Sequence, residues 1–293
     1  MTRSISGLLF MVLIIGSLMM GVISYGIVFC IITAIMMKEY LDIVAGKKGM
    51  VFQKIIAIAT GISLFVSLLL IFSNSADIII LSIPLLLLIL LYISNLYIKQ
   101  FNIHEFEEEK GLQRRKANGY ELFPSFVNGI LYIALPMSLI SLTGYFTPDP
   151  SLFTFSGSTL ISFFIIIWAS DVGAFCFGSA IGQKFGPKLF PSVSPKKSWV
   201  GMIGGLACAI VAGWILSKYT TLFDFSIIDA LILSAIINIG GAFGDLVESQ
   251  LKRNFGVKDS GTIMPGHGGM LDRFDSVLIG FPLAIIYIKL LIV

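Results

Sequence analysis

SISGLLFMVLIIGSLMMGVISYGIVFCIITAIMM, residues 4–37, contains no charged side chain. One bilayer crossing takes about 20 apolar residues, so this run is too long for a single helix. In its middle, Ser17-Leu18-Met19-Met20-Gly21 allows a tight turn. The stretch therefore divides into two hydrophobic helices. Only Arg3 precedes it and no small-residue cleavage site interrupts it, so the expectation is a retained pair of spans rather than a leader peptide.

The rest of the chain follows suit. It is 56% hydrophobic and only 13% charged, about half the charged fraction of a soluble domain. Further uncharged runs predict spans at about 54–73, 78–98, 124–143, 157–182, 199–217, 227–246 and 275–292. The fold class is thus all-α, a polytopic integral membrane protein with about nine transmembrane helices. Nine spans sort the loops into two sets, and one set holds every one of the 20 basic residues except Lys218 and Lys289. The positive-inside rule then places the N-terminus in the cytoplasm. Residues 1–122 are expected to form about four spans and a cytoplasmic loop. Residues 123–293 are expected to form a catalytic domain of about five spans. The mixed-charge stretch around HEFEEEKGLQRRK is expected to be a solvated cytoplasmic loop or helix end. Cys30, Cys176 and Cys208 are scattered through apolar segments without metal-ligand spacing, and are expected to be small buried hydrophobes. A net charge of +3 gives no footing for nucleic acid.

Four polar clusters stand out, all in the C-terminal half and all at the predicted cytoplasmic ends of spans. Asp171 lies inside the apolar run IIIWASDVGAFCFG. A carboxylate there costs a few kcal/mol on insertion scales and is functional by default, although pairing with a lysine of a neighbouring helix would also explain it. The second cluster, SPKKSWVGMIGG at 194–205, sets Lys196 and Lys197 just ahead of a span. Any lysine pair could anchor a span there, but such a loop also offers two ammonium groups and a helix N-terminus to phosphates. In the third, Asp245, Glu248, Ser249 and Lys252 fall at i, i+3, i+4 and i+7, which is one face of a helix. Glu248 with Lys252 is a favourable structural pair, whereas Asp245 has no such partner in its own helix. The fourth, KDSGTIMPGHGGMLDRFDS at 258–276, combines glycines that permit unusual backbone with Asp272 and Asp275 at the start of the last helix. Carboxylates suit a helix start, which accounts for either aspartate alone but not for His267, Arg273 and the glycines besides.

Oxygen-only ligands favour Mg²⁺ over zinc. The chain has two histidines and no GxSxG elbow or GxxxxGK[ST] loop. Carboxylates for a hard cation, cations for phosphate oxygens and close backbone together suit phosphoryl or nucleotidyl transfer beside a membrane.

From Ser249 to Asp275 the pattern S-x-x-K-R-x4-K-D is followed by P-G-H-G-G-x-x-D-R-x-D; here it is SQLKRNFGVKDSGTIMPGHGGMLDRFD. It resembles the signature of the phosphatidate cytidylyltransferase (CDP-diacylglycerol synthase) family. The Asp-x-x-Ala-aromatic stretch at Asp171, SPKKSWVGMIGG and GDLVES agree with that family in order. Met264 stands where Leu, Ile or Phe is usual, and Ser179 where many relatives carry a basic residue. The likeness covers about the last 130 residues; the N-terminal spans match in character only.

The resemblance implies that CTP and phosphatidic acid give CDP-diacylglycerol and pyrophosphate for phospholipid biosynthesis, with Mg²⁺ and a second, monovalent cation such as K⁺. It places the active site on the cytoplasmic face of an inner membrane. Asp245 and Asp272 are expected to hold the divalent ion, with Asp275 and Asp171 beside them. Lys196, Lys197, Lys252, Arg253, Lys258 and Arg273 are expected on the triphosphate and the lipid phosphate, with Ser194, Ser249 and Asp259 among the substrate contacts. Gly268 and Gly269 would supply backbone donors, and His267 would either donate to a phosphate or hold the loop. A homodimer is one assembly open to it. Two rivals remain: a CTP-dependent polyprenol- or phytol-type lipid kinase, and a transporter of a phosphorylated solute.

Overall fold

The structure, a computed structural model, describes residues 2–47, 49–98, 101–107, 111–117, 119–146, 155–182, 186–264, 266 and 268–292; for 2–5, 101–107, 111–117 and 119 it describes the backbone alone. Helices dominate because a bilayer offers no water to satisfy an open backbone. The long uncharged N-terminal run is two helices, α1 (Thr2–Met19) and α2 (Val22–Ala45), broken at Gly21 with φ 98°. Then come α3 (Val51–Phe72), α4 (Ser82–Ser94) with a short 3₁₀ turn before it, α5 (Gly119–Gly129), α6 (Leu135–Ile140), α7 (Ser158–Phe177), α8 (Trp199–Tyr219), α9 (Ile227–Asn254) and α10 (Leu271–Leu291). A π turn, Ile130–Ala134, joins α5 to α6 just ahead of Pro136. Proline has no N–H for the carbonyl four residues back, and the wider turn absorbs that mismatch.

Among the described residues, seven helical stretches are long and apolar enough to cross a membrane: Val51–Phe72, Ile78–Tyr97, Tyr120–Tyr145, Ser158–Gly182, Trp199–Tyr219, Ile227–Asn254 and Leu271–Leu291. Each matches a span expected from the sequence, and the chain is a polytopic all-α membrane protein. Its exterior carries open aliphatic side chains such as Leu8, Val12, Ile78, Leu86 and Val211. Such a surface is a liability in water and a lipid contact in a bilayer.

Two short hairpins depart from the helical expectation. The mixed-charge loop is an antiparallel pair, β1 (Phe101–Glu107) with β2 (Gly111–Ala117). The loop before α8 is another, β3 (Lys188–Phe190) with β4 (Ser194–Ser198). In the first pair the backbone ladder runs from Phe101 opposite Ala117 to Glu107 opposite Gly111.

The C-terminal helices pack in succession, α7 on α8, α8 on α9, α9 on α10, through seams of small residues. Without a hydrophobic force between helices in lipid, such close approach is what holds them. A Cβ at Gly240 would stand 2.7 Å from Gly280 Cα, so α9 and α10 touch backbone to backbone. Asn238 Nδ2 donates to Ser170 Oγ at 2.6 Å, tying α9 to α7 in a buried position. Gly240→Ala should therefore force α9 and α10 apart and cost about 1–3 kcal/mol, as overpacking does. A lower midpoint in a detergent melt followed by size exclusion is the expected result, and an unchanged midpoint would count against the seam.

Candidate active site

The polar face anticipated on α9 is present. Ser249 Oγ donates to Asp245 Oδ1 at 3.2 Å. Lys252 pairs with Glu248 one turn back, and also reaches Asp272 Oδ1 at 2.6 Å. Glu248 is wholly buried, and the Lys252 and Asp272 side chains are 14% and 6% exposed. Two acids thus share one ammonium. Asp245, one turn earlier on the same face, pairs with Lys197 Nζ at 2.5 Å. Lys197 comes from β4, whose pairing with β3 sets the SPKK stretch against α9; the nearby bond from Arg253 Nε to Val193 O, 3.4 Å, fastens the same hairpin to the end of α9.

Asp272 has no idle oxygen. Its Oδ1 takes Lys252, and its Oδ2 accepts from Ser260 N at 2.9 Å and Gly269 N at 2.8 Å, with Ser260 Oγ at 3.0 Å. The Gly269 N–H, expected to serve a phosphate, is given to the protein's own carboxylate. Gly268 has φ 82°, and a Cβ there would lie 2.6 Å from Asp272 Oδ2. Two requirements therefore select glycine at this position: a left-handed backbone and room for the carboxylate. His267 lies outside the described residues.

A cavity of about 220 Å³ opens beside this knot. Asp171 of α7, with Asp272, Arg273 and Asp275 of α10, forms its polar side; Phe10 and Met11 of α1, with Ile167 and Trp168 of α7, form its apolar side. Asp275 is brought in by the tight α9–α10 seam, because a Cβ at Gly244 would run into the Asp275 carbonyl. Asp275 Oδ1 accepts from Ser276 N at 2.6 Å. Lys196, Arg253, Lys258 and Asp259 are exposed, and Ser194 is half-buried; none of them lines the cavity.

The donor set suits a hard divalent cation in chemistry but not as a closed cage. Among the described residues no group of three or more Asp, Glu, His or Cys stands ready to hold a metal. The available atoms are carboxylate oxygens, and Glu248 Oε1 is buried with no hydrogen-bond partner. Mg²⁺ typically takes one or two carboxylates and completes its shell with water and substrate phosphates. The residues therefore fit an ion that arrives with a nucleotide.

Three contributors lay outside the sequence expectation. The α1 residues supply a wall of the cavity, although the expected site lay wholly in the C-terminal half. Tyr132, on the π turn, has a buried hydroxyl without a partner. Glu39 of α2 is buried and accepts hydrogen bonds from Met270 N and Leu271 N. Beside Glu39 in the sequence, Lys38 and Asp42 form an ordinary i, i+4 pair at 2.8 Å, and nothing in the local sequence sets Glu39 apart from them.

The sequence model of the cytidylyltransferase family matches residues 1–291. Over 120 residues the chain is 46% identical to a phosphatidate cytidylyltransferase of Staphylococcus haemolyticus and 44% identical to one of Staphylococcus saprophyticus. A Staphylococcus aureus protein of the same name is 46% identical over the same length. Each match covers 41% of this chain and 45% of the relative, so the chain spans less than half the length of the curated relatives it matches.

Proposed function

The chain belongs to the cytidylyltransferase family, and from that membership we propose that it transfers the cytidylyl group of CTP to phosphatidic acid, releasing pyrophosphate and CDP-diacylglycerol. One observation carries the reading: a single cavity has a carboxylate and arginine side and an apolar side built from α1 and α7. That is the pairing needed where a water-soluble triphosphate meets a substrate that stays in the bilayer.

A phosphate oxygen of phosphatidate attacks the α-phosphorus of CTP. The new P–O bond forms as the bond to pyrophosphate breaks, and the bridging electron pair leaves with pyrophosphate. The lipid phosphate is already ionised near neutral pH, so no strong base is needed. The barrier is electrostatic: two anions must touch. Arg273 on the cavity side would hold phosphate oxygens, and so would the exposed side chains of Lys196, Lys258 and Arg253. Lys197 and Lys252 would do so by releasing Asp245 and Asp272. Asp245 and Asp272 would hold a Mg²⁺, with Asp275 and Asp171 beside them; Asp272 can take part only by giving up Lys252. When bound, that ion neutralises and orients the triphosphate. A monovalent cation such as K⁺ would sit well at the unpartnered oxygen of Glu248.

The proposal extends to topology. With α1 and α2 crossing as well, the chain has nine spans, the N-terminus and the site both face the cytoplasm, and residues 123–293 hold the chemistry while the first spans brace it. The loop distribution of lysine and arginine supports this orientation.

The test is purified protein with labelled CTP, phosphatidate and Mg²⁺. Lipid-soluble cytidine with release of pyrophosphate is expected. Release of CDP with a newly phosphorylated lipid would replace the reading with a lipid kinase. Movement of a phosphorylated solute across sealed vesicles, with no cytidine lipid, would replace it with a transporter.

A further inference from the structure

The last helix begins without a cap of its own. Met270 is the residue before its first turn and supplies no side-chain hydrogen bond. The first N–H groups of a helix have no partner inside it, and burying them unmet is costly. Here the partners come from elsewhere in the chain. Met270 N donates to Glu39 Oε1 at 3.0 Å and Leu271 N to Glu39 Oε2 at 2.8 Å. Asp272 N donates to Ser260 Oγ at 3.3 Å. That hydroxyl in turn lies 3.1 Å from Glu39 Oε2 and 3.0 Å from Asp272 Oδ2, and its single proton bridges the two carboxylates.

Glu39 is 6% exposed, and among the described residues no basic side chain pairs with it. Its charge is met by the positive end of α10 and by the serine, an arrangement that favours an anion. Two glycines are shaped around it. A Cβ at Gly261 would run into Glu39 Oε1, and one at Gly269 would lie 2.5 Å from Glu39 Oε2 and 2.6 Å from Gly261 N. Among the described residues, the donors that the Glu39 carboxylate receives belong to Ser260, Met270 and Leu271, which flank Asp272 in space or in sequence.

We propose that Glu39 is a positioning residue: from α2 it caps α10 and holds Ser260 and Gly269 in the register that turns Asp272 and Arg273 toward the cavity. It touches no substrate. It acts through the segment it holds, and it makes the N-terminal helices part of the site. The kinetic arm of its test rests on the cytidylyl-transfer reading; the other arm does not.

The experiment compares wild type, Glu39→Gln and Glu39→Ala in detergent by amide hydrogen exchange and by steady-state kinetics. Gln keeps the shape but has one acceptor oxygen where the carboxylate has two. Losing a charged hydrogen bond should raise exchange at Met270 and Leu271 by about tenfold or more, with α3 and α8 unchanged. The turnover number per folded molecule should fall by a similar factor, about tenfold, while KM for CTP stays near its wild-type value. Glu39→Ala should show the same pattern, enlarged. Wild-type exchange in Glu39→Gln would overturn the proposal. So would exchange that rises in every helix while turnover per folded molecule is retained, since that is the mark of general stability alone. If wild type makes no cytidine lipid, the transfer reading fails, and exchange confined to the start of α10 still decides the tether.

Discussion

Asp272→Asn is expected to leave a protein that inserts and folds but has lost nearly all turnover. The amide oxygen can take the place of Oδ2 and keep the bonds from Ser260 N and Gly269 N, at 2.9 and 2.8 Å in the parent. The amide NH₂ then faces Lys252 Nζ, where Oδ1 stood at 2.6 Å. Two donors confront each other, and the ammonium loses one of its two acids. Removing one partner of a buried ion pair costs about 3–5 kcal/mol. At about 1.4 kcal/mol per decade that is a loss of roughly 10²–10⁴-fold, if the pair contributes its full effect to the site. The same substitution removes a proposed cation ligand, which acts in the same direction. The measurement is lipid-soluble cytidine formed per folded molecule, with size exclusion as the check on folding. Near-wild-type turnover by the variant would end the assignment of Asp272 to the reaction.

Lys252→Met should be the most damaging change to stability. It leaves Glu248, which is wholly buried, and Asp272, which is 6% exposed, without their shared cation. Stranding buried charge costs about 3–5 kcal/mol, far beyond an ordinary substitution. A marked fall in the detergent melting midpoint is expected, together with loss of activity. Adding Glu248→Gln removes one of the stranded charges, and the double variant should regain a substantial part of the midpoint. It should not regain activity, because Lys252 is itself proposed to hold a phosphate oxygen. A single variant that melts like wild type would show that Lys252 is not the charge that balances this corner. A double variant that melts no higher than the single would place the whole burden on Asp272.

Much of the architecture was legible from hydropathy alone. Apolar runs the length of a bilayer form helices in lipid, so the seven spans from α3 to α10 stand near their expected bounds, except that α9 runs past its expected end at about 246 to Asn254. Gly21 marked the turn between α1 and α2. The i, i+3, i+4, i+7 face of Asp245, Glu248, Ser249 and Lys252 was legible for the same reason: helical geometry makes those neighbours before any tertiary contact forms. The two hairpins were not legible. Their stability depends on pairing partners across a turn, and the local sequence is charged enough to suit a loop equally well.

The chain's order of residues determined, by itself, that this is a multi-pass helical protein whose polar clusters gather at the ends of its later spans, because hydrophobic length and charge placement act locally. Which acid faces which cation was decided only by the packing: Lys197 went to Asp245, Lys252 to Asp272, and Glu39 crossed from the second helix to cap the last. Those bonds join residues far apart in the chain. They exist because small residues let α9 and α10 approach to backbone contact, and because the uncapped start of α10 had to find an acceptor somewhere inside the membrane fold.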